Sequence, residues 1–162
     1  MLKSPTRRRR MPGQIVEIGL GQAKISYARV LHEPLFAFYD EAFSASEKPS
    51  MEDVISLPIA FKIDVMNSAV TSGRWPVIAN IGLTADLQEI PMFCKQDIVT
   101  GKLYIYQEVP ELAPYYERPA AIEECIGLEA AAVWDAEHVE DRLRDHFAGQ
   151  PNKWVEQLRP KL

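Results

Sequence analysis

Alternating apolar and polar side chains mark the first half of the chain as rich in β-structure. The clearest case is the segment in which Ile59, Phe61, Ile63 and Val65 alternate with Ala, Lys and Asp side chains. A period of two is typical of a strand with one buried face, so we predict a strand here.

Residues 14–31 have the pattern of a β-hairpin, because two alternating segments follow each other across a glycine-containing stretch. We expect Gly19 and Gly21 to supply the positive φ angle of its tight turn. The apolar run 35–39 adds a third strand, which Asp40 ends. Three strands in so short a segment predict a small meander or an SH3-like partial barrel.

Further elements follow in the middle of the chain. Ser50 stands three residues before Asp53, which predicts a capped helix from Met51 to about Leu57, and Pro58 ends it. The remaining predicted strands are 75–78, 90–94 and 102–109, with a hairpin turn at Thr100 and Gly101.

The last part of the chain changes to a helical composition. Asp135 is placed to cap a helix that stops at Gly149. Within it, Val139, Leu143 and Phe147 recur every four residues and form one apolar stripe. Strands first and helices last predict an α+β fold, mostly antiparallel β in the N-terminal part, with C-terminal helices.

The charged residues divide the chain into a basic leader and an acidic body. The first ten residues hold five of the 18 basic residues and none of the 23 acidic ones, which leaves 13 against 23, a net charge of −10. We therefore predict a flexible basic leader over 1–12 and a single domain over 13–162, with Met11 as the expected physiological start. An acidic body repels phosphate backbones and favours basic partners, so we expect no nucleic-acid ligand.

Neither a membrane span nor a secretory signal is predicted. The longest apolar runs, such as 75–79, are far shorter than the roughly 20 residues that cross a bilayer, and no apolar stretch follows the arginines at 7–10. Cys94 and Cys125 could form a disulfide in principle, but nothing in the sequence indicates an oxidising compartment. We therefore expect two buried thiols and a cytoplasmic protein.

Catalytic and metal-binding patterns are missing from the sequence. It has no glycine-rich phosphate loop and no Gly-x-Ser-x-Gly motif. His138 and His146 are about 12 Å apart on the predicted helix, too far to share a metal. His32 lies in a turn, and Cys94 ends an apolar strand, where a thiol is expected to be inert. We predict no enzyme activity, no cofactor and no metal.

Three residues are candidates for contact with a partner. Arg29 is a charge within an apolar strand, and Asp40 directly follows an aromatic one. We expect these two to form a buried ion pair that fixes the sheet, with partner contact as the alternative. Trp75 is of the residue type that anchors interfaces, although burial in the core is the favoured interpretation for aromatic residues on strands.

Five segments of the chain carry a family resemblance by their order and spacing. They are GQIVEI at 13–18, YARVL at 27–31, FYD at 38–40, the apolar strand at 59–65 and GRWPVI at 73–78. Together they resemble the immunity protein 26 family of bacterial polymorphic toxin systems.

The resemblance implies a mostly β protein that neutralises a toxin encoded beside it, in the cytosol, by direct binding and without catalysis. It supplies no functional residues. The acidic body adds the expectation of a basic toxin that associates quickly and in a salt-sensitive manner. The alternative is an SH3-like module for a peptide or nucleic acid, which an exposed groove of aromatic residues would favour. A hydrolase ranks third, and the oligomeric state stays open.

Overall fold

A computed structural model describes residues 8–109 and 116–161 of the chain. In these ranges the chain forms two β-sheets and six helices, numbered in chain order. The larger sheet contains β1 (Gln14–Gly21), β2 (Lys24–Val30), β3 (Leu35–Tyr39), β4 (Phe43–Ser44), β5 (Ile59–Val65), β6 (Val77–Asn80) and β11 (Val133–Trp134). The smaller sheet contains β7 (Phe93–Gln96), β8 (Leu103–Gln107), β9 (Tyr116–Ala120) and β10 (Glu129–Ala130). The helices are α1 (Met51–Ile55), α2 (Ser68–Thr71), α3 (Ala85–Gln88), α4 (Ile122–Cys125), α5 (Ala136–Phe147) and α6 (Lys153–Leu158).

The predicted α+β class is confirmed. The larger sheet has the strand order β11-β5-β3-β2-β1-β6, with β4 paired to β2, and the smaller has the order β10-β7-β8-β9. Strands β1, β2 and β3 are antiparallel neighbours, as the predicted meander requires. The short strands β10 and β11 pair in parallel with β7 and β5, and the two longest helices, α5 and α6, come last.

The turn of the first hairpin lies later than predicted. Gln22 and Ala23 have φ angles of 53° and 59°, as in the two-residue turns that match the twist of antiparallel strands. Gly21 also has a positive φ, of 80°, whereas Gly19 does not. The strand continues through Leu20 because the side chain of this residue is buried, which moves the reversal two residues along the chain.

One predicted helix start and one predicted helix stop are confirmed. The side-chain oxygen of Ser50 accepts a hydrogen bond from the backbone N–H of Asp53 at 3.1 Å, so α1 has the expected N-cap. The C-terminal end of α5 is followed by Gly149 with a φ of 66°. Strand β7 begins three residues later than predicted, beyond Pro91, which has no N–H to donate to a sheet.

The main core lies between the larger sheet and α5. The apolar stripe of α5 is confirmed, since Val139 and Leu143 are fully buried and Phe147 is packed against the same cluster. At its centre, the ring of Trp75 meets those of Phe36 and Phe38 edge to face, at centroid distances of 5.6 and 5.9 Å. Buried aromatic pairs in this edge-to-face arrangement stabilise the core.

The prediction of two buried thiols is half wrong. Cys94 and Cys125 are buried, but their sulfur atoms are joined in a disulfide, with Cα atoms 5.4 Å apart. Strand β7 and helix α4 both pack against β8, and this brings together two residues that are 31 positions apart in sequence. Within the described part of the chain, none of the helices combines the length and apolar character that a bilayer crossing needs.

The basic leader is corrected at Arg10, which is 8% exposed and belongs to the folded body. Its guanidinium donates hydrogen bonds to the carbonyl oxygens of Val65 at 2.8 Å and Leu35 at 3.2 Å. It also lies over the ring of Phe36, 4.2 Å from the centroid, an arrangement that stabilises a desolvated cation. Residues 1–7 of the predicted leader lie outside the described residues, and the single domain over 13–162 stays a prediction.

Candidate functional site

An apolar groove of about 550 Å³ opens at one end of the larger sheet. It forms where the β2–β3 connection meets the segment that contains α3 and the residues that follow β8. We call this feature the groove, and its apolar walls are the side chains of Leu31, Leu35, Leu83, Leu87, Ile90 and Val109.

Local hydrogen bonds fix both sides of the groove. Leu31 donates its backbone N–H to the carbonyl of Leu35 at 3.0 Å, which closes the β2–β3 connection and places both leucines at the same end of the sheet. On the other side, the ammonium group of Lys62 donates to the carbonyls of Asp86 and Glu89, at 3.0 and 3.2 Å. These bonds hold α3 against β5, so the groove is preformed.

Five carboxylates lie in this region: Glu33, Asp86, Glu89 and Glu108 on the segments that form the groove, and Asp64 on β5 beside it. None of them is ion-paired with a basic side chain in the ranges 8–109 and 116–161. Glu89 lines the groove itself, and Asp64 and Glu108 line a smaller cavity beside it. An apolar groove with a negative rim is suited to aliphatic side chains that have lysine or arginine beside them.

Asp64 has the most perturbed carboxyl group in this region. Burial, followed by the nearby charge of Glu108, raises its pKa to about 6, and the guanidinium of Arg10 partly opposes both. Burial also lowers the pKa of Arg10 to about 10, against the attraction of Glu33 and Asp64. His32 faces the same small cavity as Asp64 and Glu108.

The raised pKa of Asp64 predicts a pH-dependent stability. The folded state binds the proton with a pKa of about 6 against an ordinary value of 3.8, so ionisation destabilises the fold. This loss of stability is absent at a pH below the ordinary pKa, grows as the pH rises between the two pKa values, and is complete at a pH above the pKa of the folded state. We expect Asp64→Asn to raise the free energy of unfolding by about 1–3 kcal/mol at pH 8, where it removes a buried charge, and by little at pH 3, where the carboxyl group is protonated.

Urea unfolding of both proteins across this pH range checks the expectation. Asp53→Asn changes the same functional group at an exposed position and serves as the control. A gain from Asp64→Asn that is independent of pH would contradict the assignment.

Arg29 is buried, with 2% of its surface exposed. Its guanidinium donates to the hydroxyl of Tyr39 at 3.2 Å and to the carbonyl oxygen of Ile81. The predicted ion pair with Asp40 is therefore wrong. Arg29 instead joins the sheet to the segment that leads into α3, because backbone carbonyls there supply the acceptors that a buried guanidinium needs.

Asp40 is exposed and pairs with a histidine of the last long helix. One of its carboxylate oxygens lies 2.6 Å from Nε2 of His146. This contact joins the end of β3 to α5. Of the three residues predicted to bind a partner, Asp40 is the exposed one, and its role in binding stays a prediction.

Trp75 is fully buried, and its indole N–H donates to a carboxylate oxygen of Glu140 at 2.9 Å. Arg74 donates to both oxygens of the same carboxylate, from Nε at 2.7 Å and from a terminal nitrogen at 2.9 Å. Two consecutive residues therefore bind one acidic side chain of α5. The GRWPVI motif therefore has a structural task in the core, and the contact of Trp75 with a partner stays a prediction.

The three predicted residues are not brought together, and the groove lies elsewhere. Sequence reasoning missed Leu83, Leu87 and Glu89, because the segment between β6 and β7 has no regular period. Its one usable signal was the sequence Leu-Gln-Glu-Ile after an acid, which places apolar and acidic residues close together. Among the residues that the structure describes, no group of three His, Cys, Asp or Glu side chains is arranged to hold a metal ion.

Comparison with known proteins supplies the identification. The family model of immunity protein 26 matches residues 11–103, more than half of the chain. The chain belongs to the immunity protein 26 family, so the predicted resemblance is confirmed. No curated protein and no solved structure matches the chain. The matched region contains β1 to β7 and most of the groove, and α5 lies outside it.

Proposed function

We propose that this protein neutralises a bacterial toxin by forming a stoichiometric complex with it, without catalysing a reaction. Membership of the immunity protein 26 family is the observation that carries the proposal. The absence of catalytic motifs from the sequence agrees with it.

The groove is the surface that we propose for this contact. Its walls are aliphatic, its shape is fixed by hydrogen bonds to backbone carbonyls, and the carboxylates around it form no direct ion pair with a basic side chain of the described residues. Counted from Arg10, which belongs to the folded body, the chain has 14 basic and 23 acidic residues, a net charge of −9, which steers basic proteins toward it. The partner is therefore a basic toxin that inserts an aliphatic side chain flanked by lysine or arginine.

A charge reversal at the rim tests this surface. We expect Glu89→Lys to weaken binding of the toxin encoded beside this protein by about tenfold or more, because it places a cation against a basic partner. Glu123→Lys makes the same change on α4, where the side chain is exposed and outside the groove. It should leave the dissociation constant unchanged within about twofold.

Titration calorimetry of the purified pair at two salt concentrations measures these constants. We expect affinity to fall as salt rises, because rim carboxylates are screened. Equal losses from Glu89→Lys and Glu123→Lys would assign the effect to net charge and remove the groove from the proposal. Absence of a complex with any neighbouring gene product would overturn toxin neutralisation itself.

Among the described residues, the aromatic side chains at the centre of the larger sheet do not support the alternative of an SH3-like module. Such a module would use an exposed groove of aromatic residues, whereas Phe36, Phe38 and Trp75 are buried in the core. The walls of the groove are aliphatic instead. The buried aromatics agree with the interpretation favoured for them from the sequence.

Neutralisation in the cytoplasm is part of the proposal, and the disulfide is the observation that weighs against it. Cytoplasmic reductants keep most thiols reduced, so a bond between Cys94 and Cys125 is typical of an oxidising compartment. Alkylation of free thiols in fractionated cells decides the question. Labelled Cys94 and Cys125 in the cytoplasmic fraction support the proposal, and an unlabelled protein in the periplasmic fraction overturns it.

A further inference from the structure

The turn between β7 and β8 presents two aliphatic side chains to solvent. Ile98 and Val99 are 99% and 89% exposed, more than any other large hydrophobic residue that the structure describes. We call residues 97–101 the hairpin tip. Single exposed apolar residues are common on proteins, but an adjacent pair at this level of exposure marks a candidate contact surface.

The hairpin tip is held rigidly by its own hydrogen bonds. A side-chain oxygen of Asp97 accepts from the backbone N–H groups of Val99 and Thr100, both at 2.8 Å. The backbone N–H of Gly101 donates to the carbonyl of Asp97 at 2.8 Å. The aliphatic pair is therefore fixed in an exposed position, so little conformational entropy is lost when a partner covers it.

Two lysines outnumber the one acidic residue of the tip, Asp97, whose carboxylate is bonded to the backbone of the tip itself. Lys102 directly follows the tip, and Lys161 is tied to the base of the tip through Gln96. The amide of Gln96 donates to the carbonyl of Lys161 at 2.7 Å and accepts from its N–H at 2.8 Å. Neither lysine is ion-paired with a residue of the described ranges. The tip thus combines aliphatic side chains with nearby cations on an otherwise acidic protein.

The tip and the groove lie at opposite ends of the same hairpin. Strand β7 begins at Phe93, which borders the small cavity beside the groove, and β8 ends at Gln107, which lines the groove. Strands of four and five residues separate these ends by roughly 15 Å at the usual rise. A tip therefore points away from the groove of its own chain and is free to meet the groove of another.

We propose that the hairpin tip of one copy of this protein binds in the groove of a second copy. The groove offers aliphatic walls and unpaired carboxylates, and the tip offers the aliphatic pair with Lys102 beside it. The contact joins two different surfaces, so it is heterologous. The inference uses the groove of the proposed function, and self-association therefore competes with toxin for the same site.

A contact of this kind is small. Two aliphatic side chains and a few charges bury much less surface than the roughly 1,200–2,000 Å² of a stable complex. We expect self-association only at high protein concentration, and we expect added salt to weaken it further. The toxin, which buries more surface, displaces the second copy.

Complementation between two variants tests the proposal on the full chain. The tip variant carries Ile98→Ser and Val99→Ser, and the groove variant carries Glu89→Lys. Analytical ultracentrifugation should show concentration-dependent association of the unmodified protein and a monomer for each variant alone. A mixture of the two variants retains one intact tip and one intact groove, so it should form a heterodimer. Ile126→Ser, at another exposed isoleucine, should associate like the unmodified protein.

Several outcomes overturn the proposal. An unmodified protein that is monomeric at all concentrations does so, as does a tip variant that associates normally. Toxin binding by the tip variant separates this inference from the proposed function. If the tip variant loses self-association and keeps its affinity for the toxin, both proposals are supported. If the tip variant loses affinity for the toxin and the unmodified protein does not self-associate, the tip is a contact for the toxin instead. If only the groove variant loses toxin binding and the unmodified protein does not self-associate, the proposed function is supported and this inference is wrong.

Discussion

Replacement of Trp75 by alanine is expected to lower the free energy of unfolding by about 3–5 kcal/mol. The indole is fully buried and meets Phe36 and Phe38 edge to face, so its removal leaves a cavity in the centre of the main core. It also removes the N–H that Glu140 accepts from, on a carboxylate that is itself largely buried. Both effects act between the larger sheet and α5.

A more conservative variant reduces the cavity. Trp75→Phe keeps an aromatic ring but loses the indole N–H and the volume of the five-membered ring, so we expect a smaller loss of about 1–3 kcal/mol. Ile78→Ala, on the same motif but at a side chain that is 40% exposed, serves as the control and should cost less than either. Urea unfolding measures all three. Equal stabilities for Trp75→Ala and Ile78→Ala would falsify the central place of Trp75 in the core.

Loss of the Cys94–Cys125 disulfide is expected to lower the free energy of unfolding by about 3–4 kcal/mol. The bond closes a loop across 31 residues and so restricts the unfolded chain. It also joins β7 to α4 beside Ile105, Leu103 and Leu128 in a small apolar cluster of the second sheet. This sheet has fewer buried side chains than the first, so the bond supplies a larger share of its stability.

The double variant Cys94→Ala and Cys125→Ala provides the measurement, beside the unmodified protein with and without dithiothreitol. We expect the reduced protein and the double variant to unfold at the same lower urea concentration. Ile126→Ala, next to one cysteine but exposed, should leave the midpoint unchanged. A midpoint that dithiothreitol does not move would show that the two thiols are not bonded in the native protein.

The sequence predicts most of the regular elements and the outline of the fold. The strand Ile59–Val65 and the apolar stripe of α5 are correct, because both depend on local periodicity that one buried face imposes. The prediction of the turn at Gly19 and Gly21 is wrong, because the position of the turn, at Gln22 and Ala23, depends on burial of Leu20 rather than on the nearest glycines. The parallel pairs of β10 and β11 involve only two residues each, too few to produce a recognisable pattern.

The candidate site was much less predictable. Leu31 and Leu83 line one groove although 52 positions separate them, and only tertiary structure brings them together. Arg29 was correctly singled out as unusual, but its partners are a hydroxyl and a backbone carbonyl, which no sequence pattern identifies. Arg10 was assigned to the leader by its charge alone, whereas its contacts with Leu35 and Val65 depend on the completed sheet.

The bond network of Arg74 and Trp75 with Glu140 has a consequence for exchanges between members of the family. The two donors lie inside the matched region 11–103, and the acceptor lies on α5, beyond it. A chimera that combines this N-terminal region with the C-terminal part of another member inherits the donors without their acceptor, unless an acid occupies the position of Glu140. Grafts made at residue 103 should therefore be less stable unless the donors and the acceptor are transferred as one set.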